Sequence, residues 1–117
     1  MRHTLMRGSI FKKYGKYGNP HRRYVWVSDN MEDILWQALH KKKAAECLKA
    51  SEVTSCVPGR NTAIFDRYTS SEDEKKCSFS LMAARRTLDL EADSESTRNK
   101  WVEALTWLIE EKAKGAE

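Results

Sequence analysis

The first 28 residues contain no aspartate or glutamate. Seven lysines and arginines fall in that stretch, which leaves 14 of the 21 basic residues against all 17 acidic ones in the rest of the chain. The formal charge of +4 is therefore a dipole: a cationic N-terminal quarter on a slightly acidic body. Such a distribution favours an anionic partner. Long apolar runs are also missing. Nothing approaches the roughly 18 residues a membrane span needs, and no apolar core after Met1 marks a secretory leader. No myristoylation signal follows Met1 and no prenylation box ends the printed chain, so membrane attachment is expected to be non-covalent. Cysteine is scarce, with three residues widely spaced and no C-x-x-C. Neither a zinc site nor a disulfide framework is therefore signalled, and the thiols are expected to be reduced in a cytosolic protein. The histidines are three and scattered. No Ser/His/Asp or Cys/His grouping stands out, and no glycine-rich phosphate motif precedes a helix. Catalysis, a metal and a cofactor are therefore not expected. No internal repeat is visible.

What is present suffices for one domain spanning residues 1–117, with a core of about 7–112: 40% of the 117 residues are hydrophobic, four of them Trp. The chain is organised around the stretch from Phe11 to Val27. Two strand-like runs, Arg7 to Tyr14 and Arg22 to Ser28, flank a turn of Gly15, Gly18, Asn19 and Pro20. Lys12, Lys13, Lys16, Arg22 and Arg23 surround that turn. Beyond it, Asp33 to Ala38 reads as a third strand, and Ser51 to Val57 as a further one stopped by Pro58-Gly59. Met1 to Met6 reads as a polar lead, His40 to Ala50 as a loop or one helical turn, and Thr69 to Lys76 as a solvated polar loop. Asn61 to Tyr68 fits no element cleanly.

Two later runs alternate strictly. Phe79 and Leu81 oppose Ser78 and Ser80. Leu88 and Leu90 oppose Thr87, Asp89 and Glu91. This is the pattern of half-buried antiparallel strands. Ala83 to Arg86 turns between them. The chain closes on a helix from about Ser94 to Lys112, with Asp93 or Ser94 as its cap and an apolar stripe of Trp101, Val102, Leu105, Leu108 and Ile109. Many short antiparallel strands followed by one amphipathic helix predict a small barrel or sandwich with the helix across an open end.

The segments Gly8-Ser-Ile-Phe-Lys-Lys-Tyr-Gly-Lys-Tyr-Gly-Asn-Pro20, Ile34-Leu-Trp36, Pro58-Gly-Arg60 with Ile64-Phe65, Cys77-Ser-Phe-Ser-Leu81, Arg86-Thr-Leu-Asp-Leu90, and Trp101 with Leu105 occur in the order and spacing of a pleckstrin-homology domain. The chain resembles in particular the subgroup found in phospholipase C-delta. It is more loosely similar to the acylated pleckstrin-homology protein of apicomplexan parasites. The resemblance implies a mainly β fold: a seven-stranded antiparallel barrel or sandwich capped by the C-terminal helix. It also implies binding of an anionic phospholipid headgroup, phosphatidic acid or a phosphoinositide, which would recruit a monomeric, cytoplasmic protein to the cytosolic face of a membrane. By position, Lys13 matches the first-strand lysine of the family and Arg23 the second-strand arginine. Lys41, Lys42 and Lys43 fall where the next loop adds cations. Lys16 and Arg22 are near enough in sequence to join. Residues two apart on a strand share a face, so Arg22 and Arg23 do not point together. Tyr17, at the turn, is a candidate membrane contact. His21 lies beside the cluster.

The sequence departs from the phospholipase C-delta pattern at Gly15 and Pro20, which stand where that subgroup has a second lysine and a loop tryptophan. With Lys16 as the candidate substitute, a simpler anionic headgroup or a looser phosphoinositide site fits the match as well as a tight bisphosphate clamp. Two other classes compete. One is a protein-interaction module with weak lipid binding. The other is a nucleic-acid-binding small barrel, suggested by cations interleaved with Tyr14, Tyr17, Tyr24 and Trp26. The long terminal helix weighs against the second, so no nucleic-acid partner is expected.

Overall fold

A computed structural model describes residues 1–40 and 43–115. Seven strands form one antiparallel sheet: β1 (Ser9–Tyr14), β2 (His21–Val27), β3 (Asp33–Ala38), β4 (Glu46–Lys49), β5 (Val53–Pro58), β6 (Ser78–Ala83) and β7 (Thr87–Glu91). Their order is β4-β3-β2-β1-β7-β6-β5, so β4 and β5 are the two edges and the sheet is not closed between them. Among the described residues, three α-helices accompany it, α1 (Arg2–Arg7), α2 (Glu72–Lys76) and α3 (Glu95–Gly115), with two short 3-10 helices at Ala50–Glu52 and Phe65–Arg67. The expected β fold with a capping C-terminal helix is present.

The alternation seen in the sequence explains the core. Phe11, Val25, Val27, Ile34, Trp36, Phe79, Leu81, Leu88 and Leu90 are buried together on one face of the sheet. Helix α3 lies on that face. Ser94 caps it, its Oγ accepting from the Thr97 amide at 3.1 Å. Trp101, Ala104, Leu105 and Leu108 are buried, with Val102, Trp107 and Ile109 packed at the margin. The Trp101 ring meets Phe11 edge-on at 5.1 Å, and Phe11 meets Phe79 in the same manner at 5.6 Å. Trp107 thus joins the margin of the core, although it lies off the stripe read from the sequence.

Four expectations need correction. The polar lead is helix α1, anchored by the fully buried Leu5 and packed on α3 and β2. A six-residue helix does not hold by itself in water, so tertiary contact decides it. The ambiguous basic segment contains β4, whose Leu48 pairs with Ile34. The polar loop contains α2, started by a capping box between Ser71 and Glu74. Finally, the Ser and Asp face of β6 and β7 is not solvated. The connection from Gly59 to Tyr68 covers it, leaving Ser80 at 1% and Asp89 at 0% exposure. Asp89 is satisfied there by three hydroxyl donors, Thr62 at 2.6 Å, Ser80 at 2.7 Å and Thr87 at 2.6 Å.

Gly8 joins α1 to β1 with φ of +77°. A Cβ there would come within 2.7 Å of the Tyr24 ring and the Val25 carbonyl. Only glycine fits both the backbone and the space.

Candidate anion-binding site

Strand register sorts the cations. Phe11 lies opposite Arg23, Lys12 opposite Arg22 and Lys13 opposite His21. Directly opposed residues share a face. Lys13, Arg23 and His21 therefore continue the face of buried Phe11 toward the turn, whereas Lys12 and Arg22 project from the other side. The second neighbour agrees: Lys13 lies opposite Leu90, a core residue of β7.

Lys13 is half-buried against an indole, its Nζ 6.0 Å from the centroid of the Trp36 ring. The guanidinium of Arg86 stands over the same ring at 5.2 Å. Arg86 comes from the turn between β6 and β7, and the pairing of β1 with β7 brings it to the hairpin. Burial, then the charges of Arg86 and Arg23, hold the Lys13 pKa below 10.5, with Glu46 opposing the change. Glu46 is itself engaged, accepting from the Trp36 indole Nε1 at 3.0 Å. Among the described residues, none of Lys13, Lys16, Arg22, Arg23, Arg85 or Arg86 forms an ion pair. Lys13, Arg23 and Arg86 therefore repel one another, and no carboxylate lies within ion-pair distance of them among the described residues.

An open cleft of about 340 Å³ lies beside this group, lined by Lys13, Tyr14, Gly15, Lys16, Ile64, Arg85, Arg86 and Thr87. Gly15 leaves part of it vacant, because a Cβ at that position would meet nothing within 4 Å. Arg23 stays near Lys13, its Nη1 donating to the Arg22 carbonyl at 2.9 Å. Lys43 is exposed in the connection between β3 and β4. Lys41 and Lys42 lie outside the described residues. Tyr17, at the tip of the hairpin, is 83% exposed, with the Arg67 guanidinium 5.9 Å from its ring centroid.

The structure thus brings Lys13, Lys16 and Arg23 to one side and separates Arg22 from them. It adds Arg85 and Arg86, which the sequence reading treated only as part of a turn. Two adjacent arginines between two alternating strands were a visible signal. Their relation to the hairpin was not, because it depends on the pairing of β1 with β7, which are more than 70 residues apart.

The hairpin is supported from behind. The Arg60 side chain, 4% exposed, pairs with Glu91 at 2.7 Å and donates to the Tyr14 hydroxyl at 2.9 Å and to Ser78 Oγ at 3.0 Å. Its guanidinium lies between the Tyr14 and Phe65 rings, at 4.6 and 4.7 Å. The Tyr14 hydroxyl donates to Glu91 at 2.6 Å. Burial first, then that carboxylate, pushes the Tyr14 pKa up to about 12.

The residues that build the open seven-stranded sheet and most of its C-terminal helix lie within the stretch matched by a family model. The PH domain model matches residues 4–110. The chain belongs to the PH (pleckstrin-homology) domain family.

Among curated proteins, this PH domain is 26% identical over 89 residues to mouse 1-phosphatidylinositol 4,5-bisphosphate phosphodiesterase eta-2, covering 74% of the chain but only 6% of the relative. The chain therefore spans a small part of that enzyme. Among solved structures, it is similar to PLC21 of L. pealei, with a TM-score of 0.72, 13% identity, and coverage of 93% of this chain and 16% of that one. It is also similar to Inner Membrane Complex Sub-compartment Protein 3 of Toxoplasma gondii, with a TM-score of 0.68, 9% identity, and coverage of 96% and 82%. At these identities the structural likeness shows the fold alone.

Proposed function

We propose that this PH domain binds an anionic phospholipid headgroup, phosphatidic acid or a phosphoinositide, in the cleft formed by Lys13, Lys16, Arg85 and Arg86. Arg23 does not line that cleft but adds its charge beside Lys13. Binding there holds the protein at the cytosolic face of a membrane. The observation that carries this reading is the convergence of Lys13 and Arg86 on the Trp36 ring, with the Lys13 pKa held down by burial and by neighbouring cations. A phosphate monoester relieves that repulsion, because it carries nearly two negative charges and several acceptor oxygens. Arginine meets it with a planar fork, and lysine with a point charge. Tyr17 stands at the exposed tip, where an amphipathic ring suits a bilayer interface. Membership of a family of binding modules is consistent with this role.

The test is flotation of two double variants with vesicles of phosphatidylcholine containing phosphatidic acid or a phosphoinositide. Lys13→Ala with Arg23→Ala should lose about 2–4 kcal/mol of binding, the scale of two partly desolvated charge-assisted contacts. Lys75→Ala with Lys76→Ala, on α2, removes the same formal charge and should retain most of it. Equal losses would reduce the site to a diffuse charge patch. No loss in either would favour a protein partner instead.

A further inference from the structure

The connection between β5 and β6 runs back to the cationic hairpin and is fastened to it. The Tyr68 hydroxyl lies 2.7 Å from the Gly15 carbonyl and 2.9 Å from the Gly18 carbonyl, so its single proton is shared between the first residue of the turn and its fourth. Arg67 Nη1 reaches the Lys16 carbonyl at 3.3 Å. The Tyr68 ring meets Tyr14 edge-on at 4.9 Å. Tyr14 in turn packs on Phe65 at 5.0 Å and bonds to the buried Arg60. A rigid chain of contacts therefore leads from the Arg60–Glu91 pair, through Tyr14 and Tyr68, to the backbone that carries Lys16. The turn needs such help. It joins β1 to β2 through six residues, 15–20, two of them glycines, and Gly18 has φ of +78°. Glycine turns lose more conformational freedom on ordering than others, and any ligand that requires their order bears that cost.

We propose that Tyr68 is a positioning residue: the connection before α2 is a brace, and the Tyr68 hydroxyl holds the β1–β2 turn in the shape that sets Lys16 beside Lys13 and Arg86. Tyr68 adds no charge to the site. Its effect on affinity comes through preorganisation, and this inference rests on the reading of the cleft as a headgroup site.

Removing a brace and removing a charge leave different signatures. A lost cation lowers both the affinity and its dependence on salt. A loosened turn lowers the affinity and leaves the salt dependence in place, because the same charges still meet the surface. Tyr68→Phe keeps the ring on Tyr14 and removes only the hydroxyl. Its affinity for vesicles of phosphatidylcholine with phosphatidic acid or a phosphoinositide should fall about five- to tenfold, the worth of roughly one hydrogen bond. Its salt slope should match that of the wild type, and amide exchange at residues 15–19 should quicken. Gly18→Ala disturbs the same turn by an independent route, through backbone strain in open space, and should behave alike. Gly18→Asn, which tolerates the left-handed region better, should recover part of the loss. An unchanged Tyr68→Phe affinity, in a protein whose Lys13→Ala, Arg23→Ala variant is impaired, overturns the brace and leaves the headgroup site standing. A loss that comes with a reduced salt slope also overturns it. Should wild-type protein fail to bind these vesicles, the functional reading falls, and unchanged amide exchange in Tyr68→Phe would dispose of the brace as well.

Discussion

Lys13 shows how one residue's surroundings can be turned into a measurement. In the free domain, burial and then Arg86 hold its pKa below 10.5. A bound phosphate favours the charged ammonium and raises that value again, so binding takes up protons. The contribution of Lys13 to affinity is complete below its free-state pKa and is lost as pH rises through its bound-state pKa. Without ligand the sign is the reverse. Between the lowered pKa and 10.5 the unfolded chain holds more protons, so folding stability contributed by this group increases with pH in that window. Vesicle affinity measured from pH about 7 to about 10 should decline, and Lys13→Arg, which stays charged, should flatten the decline. An identical decline in Lys13→Arg would assign it to other groups. Gly15 offers a complementary gain. Its backbone is outside the left-handed region and a Cβ there meets nothing, so Gly15→Lys adds a cation to the cleft without strain. Affinity for bisphosphorylated headgroups should rise about tenfold, on the scale of one charge-assisted contact. A variant no tighter than wild type would show that the cleft does not hold the phosphate beside Gly15. Lys13 and Gly15 are legible in the sequence, yet neither the neighbour Arg86 nor the vacancy at Gly15 could be read there.

Among the elements, those with a clear period were readable and those held only by contact were not. β3 begins and ends where the sequence places it, and β6, β7 and α3 differ only slightly at their ends, because alternation and a 3.6-residue stripe persist over their whole length. The segments α1, α2 and β4 have six, five and four residues. Over such lengths period carries little information. α1 rests on burial of Leu5 and β4 on pairing with β3, both tertiary contacts, while α2 is a single turn started by the Ser71–Glu74 capping box. Helix α3 shows the opposite case, where pattern and packing agree. Trp101 is 2% exposed and meets Phe11 in the centre of the core. Trp101→Ala should cost about 3–5 kcal/mol as a core truncation, read from chemical denaturation at equilibrium. Undiminished stability would mean that α3 is not packed on the sheet through this ring.

At the scale of the molecule, charge asymmetry is the property most directly tied to the proposed function. Binding to anionic vesicles should weaken steeply as salt is raised, since cations near a membrane surface contribute about 1 kcal/mol each and are screened within a Debye length. Salt-insensitive binding would point to apolar insertion or a protein partner. The sequence by itself determined that asymmetry, the β-rich plan with its closing helix, and the position of the cationic hairpin, because each is written in composition or in a short-range period. Tertiary structure alone decided which cations meet. The pairing of β1 with β7 placed Lys13 with Arg86, whereas the split of Arg22 from Arg23 already followed from strand alternation. The fold of the 59–68 connection buried Asp89 and tied Tyr68 to the turn. Those outcomes depend on contacts between residues tens of positions apart, which local pattern does not encode.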